Sequence, residues 1–259
     1  MIKIGEAFLN KKAFIVYIMA GDPDLKTSAE YILAAQDAGA DMIEIGIPFS
    51  DPIAEGEVIQ AASQRALSAG TRLDGIFGMV GSIKDRMRIP MVFMTYVNQV
   101  FVYGYDRFFM RCAEAGVSGI IMPDMPFEEQ AEAKEAARKH GIETVTLVAP
   151  TSSERRIEGI ARSAEGFIYL VSSTGVTGVR SEFATNISAM VSEIKRHTAV
   201  PVAVGFGIST AEQAEHLSKI ADGVIVGSAI VQIIGQHGTE AKPALHKYIS
   251  EMKGSMRIY

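Results

Sequence analysis

Apolar and polar positions follow one recurring unit along the chain. In each unit an Ala-rich, charged segment with helical spacing ends near a glycine, and a short run of β-branched and aromatic residues follows. Gly39, Gly116 and Gly141 stand at three of these boundaries. Glycine supplies the positive φ that ends a helix, so these positions predict helix C-termini. The runs that follow are apolar at odd and even positions alike, which indicates parallel strands covered on both faces.

Eight such runs are spread over the chain. They begin at Phe14, Asp41, Pro90, Gly119, Glu143, Gly166, Pro201 and Asp222. Eight strands that alternate with helices predict an α/β fold, a single-domain (β/α)8 TIM barrel over residues 1–259. An open doubly wound sheet is the alternative. That fold favours a GxGxxG turn after its first strand, where this chain has GDPD at 21–24.

Composition narrows the class of protein. The 259 residues carry 25 Lys and Arg against 30 Asp and Glu, a net charge of −5, and they lack the basic stripe of a nucleic-acid binder. No run reaches the ~20 apolar residues of a membrane helix. The first residues, MIKIGEAFLNKK, lack the apolar centre of a signal peptide, so we expect a cytoplasmic protein. The single cysteine, Cys112, excludes an internal disulfide and is expected to be a buried thiol.

Two predicted βα loops are extended. Loop 2, after the second strand, runs from Ile47 to about Ala61, and loop 6, after the sixth strand, runs from Ser172 to about Phe183. In barrels the βα loops build the active site at the carboxyl ends of the strands. Long loops in compact domains tend to be functional, so these two loops are the predicted site region.

Acidic residues concentrate at the second strand and its loop. Glu44 lies in the middle of the apolar run DMIEIGI. Acids are rarely buried without a partner, so Glu44 belongs either to a structural ion pair or to a partly desolvated pocket. In a pocket its pKa rises, which suits general acid/base chemistry near neutral pH. Asp51, Glu55 and Glu57 in loop 2 are either solvated surface charges or include a second catalytic acid.

Three glycine-rich segments follow the last three predicted strands. They are STGVTG at 173–178, GFGIS at 205–209 and GSA at 227–229, the last of which opens a short helical run. Glycine lets backbone N–H groups approach an anion closely. A phosphate bound beside the last two strands, at the start of a short helix, recurs in barrels, so these segments predict a phosphate site.

Other chemistries have little support in the sequence. The five histidines show no HxH or HExxH spacing, so no metal site is predicted. The chain has no GxSxG elbow, and no Cys–His nucleophile pair can be placed.

Six segments in chain order carry a resemblance to a known family. They are YIMAGDPD at 17–24, EIGIPFSDPIAEGEVIQ at 44–60, PDMPFEE at 123–129, YLVSSTGVTG at 169–178, VGFGIS at 204–209 and GSAIV at 227–231. The chain resembles the α subunit of tryptophan synthase along nearly its whole length. The segments fall in register with predicted strands one, two, four, six, seven and eight.

The resemblance implies a lyase of the last stage of tryptophan biosynthesis. Such an enzyme cleaves indole-3-glycerol phosphate by a retro-aldol reaction to indole and glyceraldehyde 3-phosphate. The resemblance implies no cofactor in this chain. It also implies a β-subunit partner that carries pyridoxal phosphate and receives the indole in an α2β2 heterotetramer.

The same resemblance assigns roles to residues. Glu44 matches the general acid/base, and Glu55 stands where the family has the acid that faces the indole N–H. The remaining matches are substrate contacts at Tyr96, Tyr169, Thr177 and Phe206 and phosphate contacts at Gly178, Gly207, Gly227 and Ser228. Thr177 and Gly178 belong to the loop that closes over the site in the family.

The chain departs from the family pattern in loop 2. Glu55-Gly56-Glu57 stands where the family has Asp-Gly-Pro. The second acid is thereby one methylene longer, ~1.5 Å of extra reach. Loss of the proline frees one φ angle, and Glu57 adds a negative charge. Three outcomes are open. The loop shifts so that Glu55 does the same work, or the isolated subunit is weak and depends on its partner to set the loop, or the chain is a paralogue that binds the partner but turns over slowly.

Two alternatives therefore accompany the lyase hypothesis. One is a catalytically weakened barrel that mainly binds and activates a β subunit. The other is a different phosphate-substrate barrel, such as a sugar-phosphate isomerase, which would share the phosphate loops but has no need of the segment from Glu44 to Gln60.

Overall fold

Eight parallel strands form a closed barrel in chain order, which confirms the predicted (β/α)8 TIM barrel. The computed structural model describes residues 1–172, 180–205 and 207–256, with the backbone alone for 180–186. The strands are β1 (Ala13–Met19), β2 (Met42–Gly46), β3 (Met91–Met94), β4 (Gly119–Ile121), β5 (Glu143–Val148), β6 (Ile168–Val171), β7 (Val202–Gly205) and β8 (Gly223–Val226). Because β1 pairs with both β2 and β8, the sheet has no free edge.

Helices surround the barrel and lie between successive strands. They are α1 (Leu25–Asp37), α2 (Glu57–Ser68), α3 (Leu73–Ile83), α4 (Val97–Tyr103), α5 (Tyr105–Ala115), α6 (Ala131–Lys139), α7 (Glu154–Ser163), α8 (Arg180–Lys195), α9 (Ala211–Ile220), α10 (Ser228–His237) and α11 (Lys242–Ser255). Short 3-10 helices cover Ile4–Phe8, Lys84–Arg86, Phe127–Glu129 and Gly238–Glu240. Gly39, Gly116 and Gly141 have φ of 106°, 81° and 72°, as predicted for residues that follow helices.

Alternating side chains of each strand divide the core into two layers. In β1, Phe14 and Val16 pack against the helices, whereas Ile15 and Tyr17 point into the barrel. All seven residues of β1 are buried, as expected for a parallel strand covered on both faces. This alternation decides which side chains of a strand reach the interior of the barrel.

The amino-terminal end of the barrel is plugged by the first 3-10 helix. Phe8 stacks on Phe167 with ring centroids 5.8 Å apart, and Ile4 is fully buried. A Cβ on Gly119 would lie 2.5 Å from Ile4 Cδ1, so only glycine leaves room for this plug. The carboxyl ends of the strands remain as the end at which a site can form.

The extended loops differ in part from the prediction. Loop 2 covers residues 47–56, because α2 begins at Glu57 rather than near Ala61. Ile59, Ala62 and Ala66 already face the interior from the first turns of α2, so the helical periodicity starts earlier than predicted. Loop 6 connects Val171 to Arg180, and residues 173–179 lie outside the described part.

Two further properties concern the described residues. None of their helices combines the length and apolar character needed to cross a bilayer. No group of three or more His, Cys, Asp or Glu side chains in the described ranges is placed to hold a metal ion.

Cys112 is fully buried, as predicted, and burial raises the pKa of its thiol well above the usual value.

An ion pair between a buried carboxylate and a partly exposed arginine joins the loop after β1 to α2. Asp22 is 1 % exposed, and Arg65 donates to both of its carboxylate oxygens, from Nε at 2.8 Å and from Nη2 at 2.7 Å. Such a bidentate pair fixes orientation as well as distance. It therefore holds α2, and with it the end of loop 2, against the barrel.

We expect Arg65→Met to destabilise the protein by about 3 kcal/mol, because it leaves Asp22 buried and without its cation. Urea unfolding at pH 7 measures the change. Lys247→Met is the matched control, since it removes an exposed ion pair of 4.0 Å with Glu251 and is expected to cost less than about 0.5 kcal/mol. Equal effects of the two substitutions would contradict the prediction.

Candidate active site

A cavity of about 470 Å³ opens at the carboxyl ends of the strands. Its lining comes from Tyr17, Glu44, Ile53, Ala54, Glu55, Gly56, Ile59, Met94, Tyr169, Gly207, Ile208, Ile225, Gly227 and Ser228. These residues belong to β1, β2, β3, β6 and β8, to loop 2 and the first turn of α2, to the loop after β7, and to the start of α10 with the glycine before it. The fold thus brings together both predicted acids and three of the predicted phosphate contacts.

Glu44 points into the barrel from the middle of β2. It is 1 % exposed, and its Oε2 atom has no hydrogen-bond partner among the described residues. No described cation forms an ion pair with it, so this part of the structure gives no support to a structural ion pair. Burial, together with the nearby negative charge of Glu55, raises the pKa of Glu44 to about 8. The carboxyl group is therefore mostly protonated at neutral pH.

Glu55 lies in loop 2 and faces the same cavity. The side chain is half-buried, and burial raises its pKa to about 7. Its backbone carbonyl accepts a hydrogen bond of 2.7 Å from Gln60 Nε2. The neighbouring Ala54 N–H donates to the Tyr96 hydroxyl at 3.0 Å. These two contacts fix the backbone on both sides of the Glu55 side chain.

The first half of loop 2 is also held by hydrogen bonds. Ser63 of α2 accepts from the Phe49 N–H at 2.7 Å and donates to the Phe49 carbonyl at 2.9 Å. Gln99 of α4 donates to the Pro48 carbonyl at 2.8 Å. Side chains from α2 and α4 thus hold loop 2 although it lacks the proline typical of the family.

The two carboxyl groups differ in environment, and this difference decides where a single proton resides. Glu44 is the more deeply buried, so its charged form is the less stable of the two. When the pair holds one proton, that proton therefore lies on Glu44 and the charge lies on Glu55. One cavity thus holds a proton donor beside a fixed anion.

The remaining acids of loop 2 stay outside the cavity. Glu57 is exposed in the first turn of α2, where a negative charge interacts favourably with the helix dipole. Asp51 is exposed and accepts a hydrogen bond of 2.5 Å from the Ser50 hydroxyl. The concern that Glu57 adds charge at the site is not supported, because its side chain points to solvent rather than lining the cavity.

A second part of the cavity lining is suited to an anion. Gly227 caps the N-terminus of α10, Ser228 is its first residue, and Gly207 has φ +72°. Free N–H groups and the positive end of a helix dipole attract a phosphate. Among the described lining residues there is no Lys or Arg, so the backbone supplies the attraction there. Gly178 lies outside the described residues.

The predicted substrate contacts differ in placement. Tyr169 lines the cavity, and a Cβ on Gly205 would overlap with its hydroxyl group. Tyr96 is 2 % exposed behind loop 2, where its ring lies 5.2 Å from the ring of Phe49. Its hydroxyl contacts loop 2, and Tyr96 is not among the residues that line the cavity. Thr177 and Phe206 lie outside the described residues.

Sequence reasoning missed two groups of lining residues. The first is Tyr17. Its hydroxyl is a polar group within an apolar strand, and this contrast could have identified it from the sequence. The second is the apolar wall formed by Ile53, Ile59, Met94, Ile208 and Ile225. These residues had no signal, because in sequence an apolar residue of the core is indistinguishable from one that contacts a ligand.

Comparisons with known proteins agree with this geometry. The family model described as tryptophan synthase alpha chain matches residues 6–257. A relative of that name from Lacticaseibacillus casei is 47 % identical over 253 residues, which cover 98 % of this chain and 95 % of the relative. The chain belongs to the tryptophan synthase α chain family.

Solved structures of the family share the whole fold. The α subunit from Legionella pneumophila is 34 % identical, with a TM-score of 0.90 over 99 % of this chain and 98 % of that one. A chain of the tryptophan synthase complex from Pyrococcus furiosus is 37 % identical, with a TM-score of 0.85 over 94 % and 98 % of the two chains. The alternative of an unrelated phosphate-substrate isomerase is therefore wrong.

Membership of the tryptophan synthase α chain family defines the reaction. The chain is a lyase that cleaves indole-3-glycerol phosphate in the last stage of tryptophan biosynthesis. The α chains of this family need no cofactor, and pyridoxal phosphate belongs to the β subunit.

The raised pKa of Glu44 makes stability depend on pH. The folded state holds this proton more tightly than the unfolded state, so stability is lost as the pH rises from about 4.5 to about 8. We expect Glu44→Gln to remove this loss and to be more stable than the parent at pH 8 by about 2–4 kcal/mol, with little difference at pH 4.5. Urea unfolding at both pH values measures the effect.

Glu57→Gln is the matched control, since Glu57 is exposed at the other end of the same loop. It is expected to follow the pH dependence of the parent chain. Parallel stability curves for Glu44→Gln and the parent would show that Glu44 carries no unfavourable charge in the fold.

Proposed function

We propose that Glu44 and Glu55 share the chemistry of indole-3-glycerol phosphate cleavage. The observation that carries this proposal is the pair of carboxyl groups of unequal burial in one cavity, which the N-terminus of α10 also lines. The difference in pKa favours one proton donor and one anion at neutral pH. This is the arrangement that a retro-aldol cleavage of an indole substrate needs.

Glu44 acts first as an acid and then as a base. Its proton passes to indole C3, which creates a cation that extends to N1. The resulting carboxylate takes the proton of the hydroxyl group on the carbon attached to C3. The bond between these carbons breaks, its electron pair returns to the ring and neutralises the cation, and the hydroxyl-bearing carbon becomes the aldehyde. One carboxyl group with a pKa near neutrality performs both transfers.

Glu55 stabilises the intermediate. Its ionised carboxylate interacts with the positive charge that spreads to N1 only after C3 is protonated. A fixed anion that meets charge formed along the reaction path lowers the barrier more than it strengthens substrate binding. The half-buried position of Glu55 strengthens this interaction, since little water screens it.

The rest of the cavity positions the substrate. Gly207, Gly227 and Ser228 bind the phosphate through backbone N–H groups and the dipole of α10. The apolar wall and Tyr169 contact the indole ring. By the family match we assign Thr177 and Phe206 to substrate contacts and Gly178 to a phosphate contact, and we assign Tyr96 to the support of loop 2.

A β subunit is the proposed partner, in an α2β2 heterotetramer in the cytoplasm. The large exposed apolar side chains Ile53, Phe101 and Val102 are 81 %, 66 % and 75 % exposed, on loop 2 and on α4, which contacts loop 2. Large apolar side chains left exposed on a loop and on the helix that contacts it favour an interaction surface there. Docking at this position places the partner next to the mouth from which indole leaves.

We expect Glu44→Gln to lower kcat for indole release by about 10³-fold, because the amide can neither donate to C3 nor accept the hydroxyl proton. For the parent, kcat/KM is expected to rise with pH as Glu55 ionises near 7 and to fall as Glu44 ionises near 8. Indole fluorescence measures both, and the chain has no Trp to add background. Glu57→Gln is the control and is expected to keep full activity. A kcat/KM that does not change with pH would contradict the roles proposed for Glu44 and Glu55.

Substitutions in loop 2 provide a second test. They distinguish a fully active enzyme from a catalytically weakened barrel that mainly binds and activates a β subunit. We expect Glu55→Asp to lower kcat/KM by about 10-fold or more, since the held backbone leaves the shorter side chain ~1.5 Å short. Adding Glu57→Pro is expected to bring no gain. The assay is indole release without and with excess β subunit. A large gain in the double variant would favour the weakened barrel.

A further inference from the structure

Tyr17 occupies the cavity beside Glu44, yet the reaction as described leaves its hydroxyl without a role. It is the register neighbour of Glu44, on β1, and both side chains point into the barrel. The side chain is 4 % exposed. Phenylalanine would fill the same space in the apolar interior of the barrel, so packing alone does not account for the hydroxyl group.

The Tyr17 hydroxyl has only a weak hydrogen-bond partner among the described residues. Among the described residues, the acceptor within reach is the thioether of Met19, with Sδ 4.0 Å from the oxygen. A thioether is a weak acceptor. Buried tyrosine hydroxyl groups usually find a hydrogen-bond partner, so the missing strong acceptor points to something that enters the cavity.

The side chain spans the two ends of the proposed substrate site. Its Cβ lies 3.4 Å from the position of a Cβ on Gly227, at the start of α10. Its hydroxyl end lies over Gly46, where any Cβ would overlap with it, two residues beyond Glu44. The ring therefore runs from the phosphate end to the acid/base, which is the path that the glyceryl chain of the substrate must take.

Tyr17 can act here as a donor. Burial, and then the charges of Glu55 and Glu44, raise the pKa of its phenol well above 10. The group is thus neutral wherever the enzyme works, and its O–H proton is available. In the proposed reaction Glu55 faces the indole ring, and Glu44 acts at C3 and takes the proton of the adjoining hydroxyl group. The hydroxyl oxygens of the glyceryl chain are therefore the acceptors that remain for Tyr17.

We propose that the Tyr17 hydroxyl donates a hydrogen bond to a hydroxyl oxygen of the glyceryl chain and makes this enzyme select substrates that carry hydroxyl groups between indole and phosphate. The inference rests on the proposed positions of the phosphate and of indole C3. No bond is made or broken by Tyr17, which binds and orients the chain that Glu44 cleaves.

The test compares two ligands by equilibrium binding, so that it does not depend on turnover. Indole-3-glycerol phosphate and indolepropanol phosphate, which lacks both glyceryl hydroxyl groups, are titrated into the Glu44→Gln chain by calorimetry. The same titrations are made with Tyr17→Phe added. We expect Tyr17→Phe to weaken the first ligand by about 5- to 10-fold and to leave the second within about 2-fold.

Tyr31→Phe in the same background is the control for loss of a buried hydroxyl. Tyr31 donates to the Gly238 carbonyl and accepts from the Ala241 N–H, between α1 and the start of α11. We expect Tyr31→Phe to change the affinities for the two ligands equally or not at all.

The outcomes are distinguishable. Loss of discrimination in Tyr17→Phe alone supports the hydroxyl contact. Equal weakening of both ligands would mean that Tyr17 only shapes the cavity, and unchanged affinities would mean that its hydroxyl touches neither; each result overturns this inference and leaves the roles of Glu44 and Glu55 standing. Failure of both ligands to bind the folded Glu44→Gln chain would overturn the proposed site and this inference together.

Discussion

A carboxyl group buried inside a closed barrel, with no cation paired to it in the described part of the chain, is the constraint on which the site depends. Glu44 stands on β2 in a sheet with no free edge, so its side chain has no route to solvent except through the cavity. Burial raises its pKa to about 8, so the group holds the proton that the proposed reaction transfers to the substrate ring. The same burial costs folding stability above pH 4.5, a cost that the rest of the hydrophobic core offsets.

Loop 2 shows how the chain accommodates its departure from the family pattern. Proline would have restricted the loop through φ. Here Ser63 of α2 and Gln99 of α4 donate hydrogen bonds to the loop, and the hydroxyl of Tyr96, just before α4, accepts one from it. Glu55 thereby lines the cavity despite its extra methylene, and Glu57 serves the N-terminus of α2 instead of the site. The substitution of both residues is thus compatible with an intact pair of carboxyl groups.

Much of the architecture was predictable because it follows from local patterns. Runs apolar on both faces, each preceded by a helix that ends at a glycine, indicate parallel strands, and eight of them indicate a barrel. Glu44 was identifiable because a charge within such a run is costly unless it has a use. The position of Tyr96 was not predictable in this way. The sequence suggested a substrate contact, whereas in the structure its hydroxyl accepts from the Ala54 N–H of loop 2, 42 residues away in the chain.

By itself the sequence determined the order of strands and helices, the candidate acids and the glycines of the proposed phosphate site, since each of these depends on residue type and short-range spacing. Only the tertiary structure decided that Glu44 and Glu55 face one cavity, that Glu57 turns to solvent, and that Tyr17 reaches from Gly227 toward Glu44. Those facts depend on barrel closure and on strand register, which bring together side chains far apart in the chain. Burial and pKa follow from that assembly, because they are properties of the environment rather than of the residue.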